Sequence, residues 1–219
     1  MSKIIPYAQL PDSKRTERDY ILLDGSASMT SQWWTMMDAI ETYVEGLKGN
    51  KVTTWLTLNV FSGPNDLEMI QRDCTLADWV SLIQDPAAST WGDTPLYDAI
   101  NLMARRLRDE DPLRCSITIC TDGEENGSDH TDAAQAKAIL DWCRAKGWQV
   151  TFIGCDFDNT DLATKLGAHP SQFIGVSKAL LKDAAEELAK KRARHANGGA
   201  PMHWSEEEKS QFGGYLTQQ

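Results

Sequence analysis

The chain has 219 residues and a formal net charge of −10, with 41% hydrophobic and 25% charged residues. These proportions describe a globular protein with enough chain for one α/β core. Such acidity argues against a nucleic-acid binder, whose affinity rests largely on neutralising phosphates, and no apolar stretch is long enough to cross a bilayer.

Residues 1–19 are polar, read as an N-terminal extension, and lack the apolar core of a secretory leader, so a cytoplasmic protein is expected. Residues 20–23 form a short buried strand. Trp33, Met37, Ile40, Val44 and Leu47 then recur at helical spacing, and Gly49-Asn50 stops that helix. Residues 51–61 alternate and are rich in β-branched and aromatic side chains, the pattern of a long strand. Ser62-Gly63-Pro64-Asn65-Asp66 is turn chemistry, after which residues 67–71 return as an antiparallel edge strand. A short helix is expected over residues 76–83 and an irregular loop over 84–93.

The next helix begins near Pro95, which suits a first turn, with Leu96, Ile100, Met103 and Leu107 as its apolar stripe. Residues 114–121 read as a strand, 132–146 as a helix stopped by Gly147, and 149–154 as another strand. A helical turn over 162–166 and a short strand over 172–174 precede a last helix over 177–195. That helix carries its stripe on Leu180, Leu181, Ala184, Ala185 and Leu188, and its basic end (Lys190, Lys191, Arg192, Arg194) matches the helix dipole. Residues 20–195 thus form one domain.

Residues 196–219 are a linker and tail. Asn197-Gly198-Gly199-Ala200-Pro201 is the linker, and Ser205 with Glu208 has capping-box spacing for a brief helix. Met202, Trp204, Phe212 and Tyr215 are apolar anchors in an otherwise polar tail, which folds back onto the domain or frays, or else docks on another protein. The five cysteines (Cys74, Cys115, Cys120, Cys143, Cys155) form no CxxC pair and are expected to be reduced core residues.

Strands alternating with helices predict an α/β fold, a doubly wound, mostly parallel sheet with one antiparallel edge strand and helices on both faces. Ligands of such sheets bind beyond the carboxyl ends of strands, where strand order reverses. Asp24 and Asp122 each end a strand, so they converge if those strands are central neighbours.

Three segments carry chemistry. Asp24-Gly25-Ser26-Ala27-Ser28 follows the first strand, Thr121-Asp122-Gly123 follows another, and Gly92-Asp93-Thr94-Pro95-Leu96 leads into a helix. Asp24, Ser26, Ser28, Thr94 and Asp122 are hard oxygen donors of the kind that Mg²⁺ or Mn²⁺ prefers. A site dominated by hydroxyls leaves the ion incompletely neutralised and open to an outside carboxylate. Taken alone, Asp24 and Ser26 would equally serve as helix caps. Glu124, Glu125 and Asp129 read as a solvated acidic loop. Trp33, Trp34 and Trp91 flank the site; core packing is the simpler reading of each taken singly, but the adjacent Trp33 and Trp34 cannot both face the core well, which leaves one to line a partner surface.

Asp24-Gly25-Ser26-Ala27-Ser28-Met29, Gly92-Asp93-Thr94-Pro95-Leu96-Tyr97-Asp98-Ala99 and Thr121-Asp122-Gly123-Glu124 together resemble the metal-ion-dependent adhesion site of von Willebrand factor type A domains. The order and spacing of all three are similar to that family, from about Asp19 to Arg194. The resemblance implies a Rossmann-like sheet and Mg²⁺ or Mn²⁺ held by Asp24, Ser26, Ser28, Thr94 and Asp122. The second and third motifs are most similar to intracellular bacterial or phage members. Ala27 and Asp93 stand where glycine is common in the family.

The function this implies is a non-enzymatic, metal-dependent module that grips a partner protein's Asp or Glu. The resemblance also suggests a multi-protein assembly, in some relatives one linked to an AAA-type ATPase, and this chain has no GxxxxGK[ST] loop of its own. The alternatives are a Mg²⁺-dependent phosphoryl-transfer enzyme with Asp24 as nucleophile, and a metal-independent scaffold subunit. A serine hydrolase lacks its GxSxG pattern, although His130 and His169 could act as bases.

Overall fold

A computed structural model describes residues 17–50, 52, 54–63, 66–83 and 89–213. The expected extension over residues 1–16, the tail anchor Tyr215, residues 64–65 of the turn and residues 84–88 of the loop lie outside the described residues. Six strands, β1 (Glu17–Asp24), β2 (Trp55–Ser62), β3 (Asp66–Thr75), β4 (Arg114–Thr121), β5 (Gln149–Cys155) and β6 (Phe173–Val176), form one sheet in the order β3-β2-β1-β4-β5-β6. All neighbours are parallel except β2 and β3, so the predicted α/β architecture with an antiparallel edge is what the chain adopts. Strand order reverses between β1 and β4, with Leu23 beside Cys120. Asp24 and Asp122 therefore leave the sheet side by side.

Helices α1 (Trp33–Gly49), α2 (Leu96–Glu110), α3 (Ala133–Ala145), α4 (Thr160–Lys165), α5 (Leu181–Ala196) and α6 (Glu206–Gly213) surround the sheet. Both faces are covered, so β1 is buried along nearly its whole length rather than alternating with solvent. Its side chains still divide by face. Ile21 and Leu23 join the cluster under α1 and α5, whereas Tyr20 and Leu22 join the one under α2 and α3. All five cysteines are buried free thiols.

Two expectations need correction. Residues 76–83 form no helix beyond a 3-10 turn at Leu76–Asp78. The reason is Glu41 on α1, whose carboxylate accepts from Trp79 Nε1 (2.8 Å) and from Leu82 N–H (3.0 Å) and holds the segment open. The basic end of α5 is also more than a match to the dipole. Arg192 is buried, donating through Nε to Asp19 (2.5 Å) and through Nη2 to Glu17 (2.8 Å), while Lys191 pairs with Glu208 (2.6 Å).

Of the fates expected for the tail, folding back is the one the described part adopts. Met202, Trp204 and Phe212 are buried in the α1–α5 core. Trp204 N–H donates to Ser171 O (2.8 Å) and Ser177 N–H to Phe212 O (3.0 Å). The predicted capping box opens α6, Ser205 N–H bonding Glu208 at 2.7 Å and Glu208 N–H returning to Ser205 Oγ at 3.2 Å.

Candidate metal centre

The site is built where β1 runs out into a 3-10 turn at Ala27–Ser31 ahead of α1. Backbone hydrogen bonds lace this turn to its neighbours. Ala27 N–H donates to Gly92 O (3.0 Å), Trp91 N–H to Gly25 O (3.0 Å) and Gly63 N–H to Asp93 O (2.9 Å). Gly92 has φ +69°, and a Cβ there would come within 2.8 Å of Gly63 Cα, so the two loops pack backbone on backbone. Neither Ala27 nor Asp93 adopts a positive φ, which explains why the chain tolerates side chains at both positions.

Four of the five sequence-derived donors form one hydrogen-bonded chain. Asp24 Oδ1 accepts from Ser26 N–H (2.8 Å), Ser26 Oγ meets Ser28 Oγ (2.9 Å), and Ser28 Oγ donates to Asp122 Oδ1 (2.7 Å). The fifth, Thr94, sits on the adjoining loop. Its N–H donates to Asn126 Oδ1 (2.8 Å) and its carbonyl accepts from Asn126 N–H (3.3 Å). Among the described residues its hydroxyl takes no hydrogen bond.

Several residues that secure these donors were not singled out from the sequence. Thr121 Oγ1 donates to Asp24 Oδ2 at 2.6 Å, and Gln32 Nε2 donates to Asp122 Oδ2 at 2.5 Å. Glu125 is not a solvated member of the acidic loop. Its half-buried carboxylate accepts from Tyr97 N–H (2.9 Å), Gly127 N–H (2.9 Å) and Ser128 N–H (2.6 Å), stitching residues 125–128 to the first turn of α2. Asp98 continues the seam, accepting from Asp129 N–H (2.9 Å) and His130 N–H (3.2 Å). Glu124 and Asp129 are exposed as expected.

Burial pushes the Asp24 carboxyl up to about 6, against the pull of its bonds to Thr121 and Ser26, and the neighbouring Asp122 adds to the rise. Burial raises Asp122 as well. Two desolvated carboxylates beside hydroxyl oxygens are the donor set of a hard divalent cation. Three of the five candidate donors, Ser26, Ser28 and Thr94, are hydroxyls, and among the described residues no three His, Cys, Asp or Glu side chains are grouped so as to hold a metal ion. The residues present fit Mg²⁺ or Mn²⁺.

The family profile of the von Willebrand factor type A domain matches residues 20–190. The chain belongs to the von Willebrand factor type A family. Domains of this type often mediate protein–protein interaction or adhesion. Solved structures similar to this vWA chain include SpaC, a pilus adhesin from Lactobacillus rhamnosus GG. That match has a TM-score of 0.66 at 13% identity and covers 82% of this chain and 31% of SpaC. A von Willebrand factor type A protein from Catenulispora acidiphila gives a TM-score of 0.57 at 15% identity, over 82% of this chain and 43% of that one. Manganese-loaded TRAP from Plasmodium vivax gives 0.52 at 13% identity, over 78% of this chain and 72% of that one. At these identities the shared feature is the vWA fold, and this chain spans under half the length of the first two. No functionally curated protein matches it in sequence.

Around the site the tryptophans divide. Trp33 is buried in the core, whereas Trp34 is 53% exposed and Trp91 is 44% exposed. Trp91 stands on the loop that leads to Thr94. Among the described residues no helix is long and apolar enough to cross a membrane.

Proposed function

We propose that this vWA domain is a non-enzymatic interaction module that captures an acidic side chain of a partner protein through Mg²⁺ or Mn²⁺. Asp24, Ser26, Ser28, Thr94 and Asp122 would hold the ion. The bound cation would supply an open coordination position for a carboxylate. The observation that carries this reading is the continuous chain from Asp24 through Ser26 and Ser28 to Asp122, which joins two loops at the switch point of the sheet. Asp24, Ser26 and Ser28 are neighbours in the sequence, and Asp122 joins them only in the fold, 94 residues on from Ser28. The manganese in the TRAP structure accords with this use of the fold.

Each protein group has a definable part. Thr121 and the Ser26 amide fix the two Asp24 oxygens, so the carboxylate needs no reorganisation when an ion arrives. Exposed Trp34 and Trp91 give a partner apolar surface near the ion, and tryptophan is enriched in such anchoring roles. An assembly of several proteins inside a cell is the setting we favour. Against Asp24 as a phosphoryl-accepting nucleophile stands Ser26, which occupies the place two residues on where a phosphatase of the commonest type would carry a second aspartate. A serine-hydrolase reading fares no better. Ser26 Oγ bonds Ser28, His169 bonds Ser171, and among the described residues neither His130 nor His169 bonds Ser26 or Ser28.

The test is capture of native-cell proteins on immobilised chain in Mg²⁺, in EDTA, and with Asp24→Ala and Ser26→Ala in Mg²⁺. A protein retained only by wild type in Mg²⁺ supports the module. Retention that ignores EDTA and both substitutions would favour the scaffold instead. Metal-dependent turnover of a phosphate ester, lost in Asp24→Ala, would revive the enzyme.

A further inference from the structure

Asp122 reaches the cluster from β4, and its carboxylate is held at both oxygens. Oδ1 accepts from Ser28 Oγ at 2.7 Å and Oδ2 from Gln32 Nε2 at 2.5 Å. Ser28 is itself a candidate ligand, but Gln32 is not, because it turns its carboxamide nitrogen, which has no lone pair to give a cation, towards Asp122 and its oxygen towards Ser31. The amide has a fixed sense. Its oxygen accepts from the Ser31 hydroxyl, which turns the NH₂ towards the carboxylate.

Gln32 is also a rigid mount. It is 6% exposed, at the junction where the 3-10 turn passes into α1. Its N–H donates to Met29 O (3.1 Å) and its carbonyl accepts from Met36 N–H (2.9 Å). Lys178 Nζ donates to Ser31 O, tying this junction to the segment between β6 and α5. Few side-chain torsions remain free between that anchored backbone and the carboxylate.

We propose that Gln32 is a positioning residue for the divalent ion: it orients Asp122 with an uncharged donor, leaving the carboxylate's full charge for the cation. A lysine or arginine at this place could hold the same oxygen but would neutralise it. This inference rests on the metal-site reading above. The competing role is structural, with Gln32 merely fastening the start of α1 to β4.

Ion selectivity separates the two roles. Mg²⁺ requires near-ideal octahedral geometry at short distances, whereas Ca²⁺ accepts longer and more variable coordination. Mispositioning Asp122 should therefore penalise Mg²⁺ far more than Ca²⁺, and a general loosening should not discriminate. The experiment is calorimetric titration of MgCl₂ and CaCl₂ into the full chain as wild type, Gln32→Met, Gln32→Arg and Asp24→Ala, with melting in EDTA to check folding. Methionine keeps the volume and removes the donor.

Gln32→Met should raise the Mg²⁺ Kd by about tenfold to a hundredfold, the usual loss when a partner of a metal ligand is removed. Its Ca²⁺ Kd should rise by about threefold or less. Gln32→Arg should bind neither ion measurably. A Mg²⁺ Kd for Gln32→Met within about twofold of wild type, or equal losses for both ions, would overturn the proposal. Should Gln32→Met not fold, Gln32→Arg still decides, because Mg²⁺ affinity equal to wild type would refute the need for an uncharged donor. A wild type that takes up neither ion, like Asp24→Ala, would refute the metal site itself and this role with it.

Discussion

Replacing Asp24 with asparagine should stabilise the metal-free protein at pH 8 and abolish its response to Mg²⁺. Burial raises this carboxyl from its ordinary 3.8 to about 6. The folded group thus titrates above the unfolded one, so ionisation opposes folding. Stability present below about pH 4 is lost as the pH rises through about 6. At about 1.4 kcal/mol per pH unit, the buried charge weakens the fold by about 3 kcal/mol at pH 8.

Asparagine removes that charge and retains most of the contacts. Its Oδ1 can still accept from the Ser26 N–H, and its NH₂ can donate to Thr121 Oγ1, whose proton then turns to Gly123 O, already 3.1 Å away. Allowing about 1 kcal/mol for imperfect rebonding leaves a gain of about 2 kcal/mol. For a chain of this size that is about 4–8 °C in Tm. Thermal unfolding followed by circular dichroism, in EDTA at pH 8 and pH 4.5, measures it. The gain should appear at pH 8 and vanish at pH 4.5, where the wild-type carboxyl is already protonated in the fold. Protons and Mg²⁺ compete for the same oxygens, so the wild-type Tm rise with Mg²⁺ should also be larger at pH 8 than at pH 5. A variant destabilised by the same amount at both pH values would refute this account of Asp24.

Ser28→Ala removes the link between Ser26 and Asp122, so saturating Mg²⁺ should no longer raise its Tm. Wild type at 100 times its Kd should gain about 2.7 kcal/mol, and equal rises in the two proteins would exclude Ser28 from the site. Asn126→Ala strips the acceptor from the Thr94 N–H and should lower stability by about 1–3 kcal/mol in urea unfolding, with weaker Mg²⁺ binding by calorimetry. Trp34→Ser, at a surface position, should change stability by no more than about 0.5 kcal/mol while reducing retention of the metal-dependent partner. Trp204→Ala should cost about 3–5 kcal/mol, because that indole is buried in the core shared by α1 and α5. A loss below about 1 kcal/mol would mean that the tail does not pack there in solution.

Much of the fold was legible because local patterns carry it. The apolar stripe Trp33, Met37, Ile40, Val44 and Leu47 is buried on α1, and residues 114–121 form β4 as their composition indicates. The short helix expected over residues 76–83 failed for a non-local reason. Glu41, on another element, accepts the Leu82 N–H and the Trp79 indole N–H, which no periodicity within 76–83 could reveal. Arg192 looked like a helix-end charge because its burial depends on Asp19 and Glu17, more than 170 residues away.

The candidate site divides in the same way. The sequence by itself determined which oxygen donors exist and that each stands at a strand end or before a helix, because turn chemistry and motif spacing are local. The tertiary structure decided that Asp24 and Asp122 emerge beside each other, since that follows from the pairing of β1 with β4. It alone assigned Gln32 to Asp122, Thr121 to Asp24 and Asn126 to Thr94. Such pairings depend on how strands are ordered and how loops pack across the sheet's edge, and a hydrogen bond between distant segments leaves no period in either one.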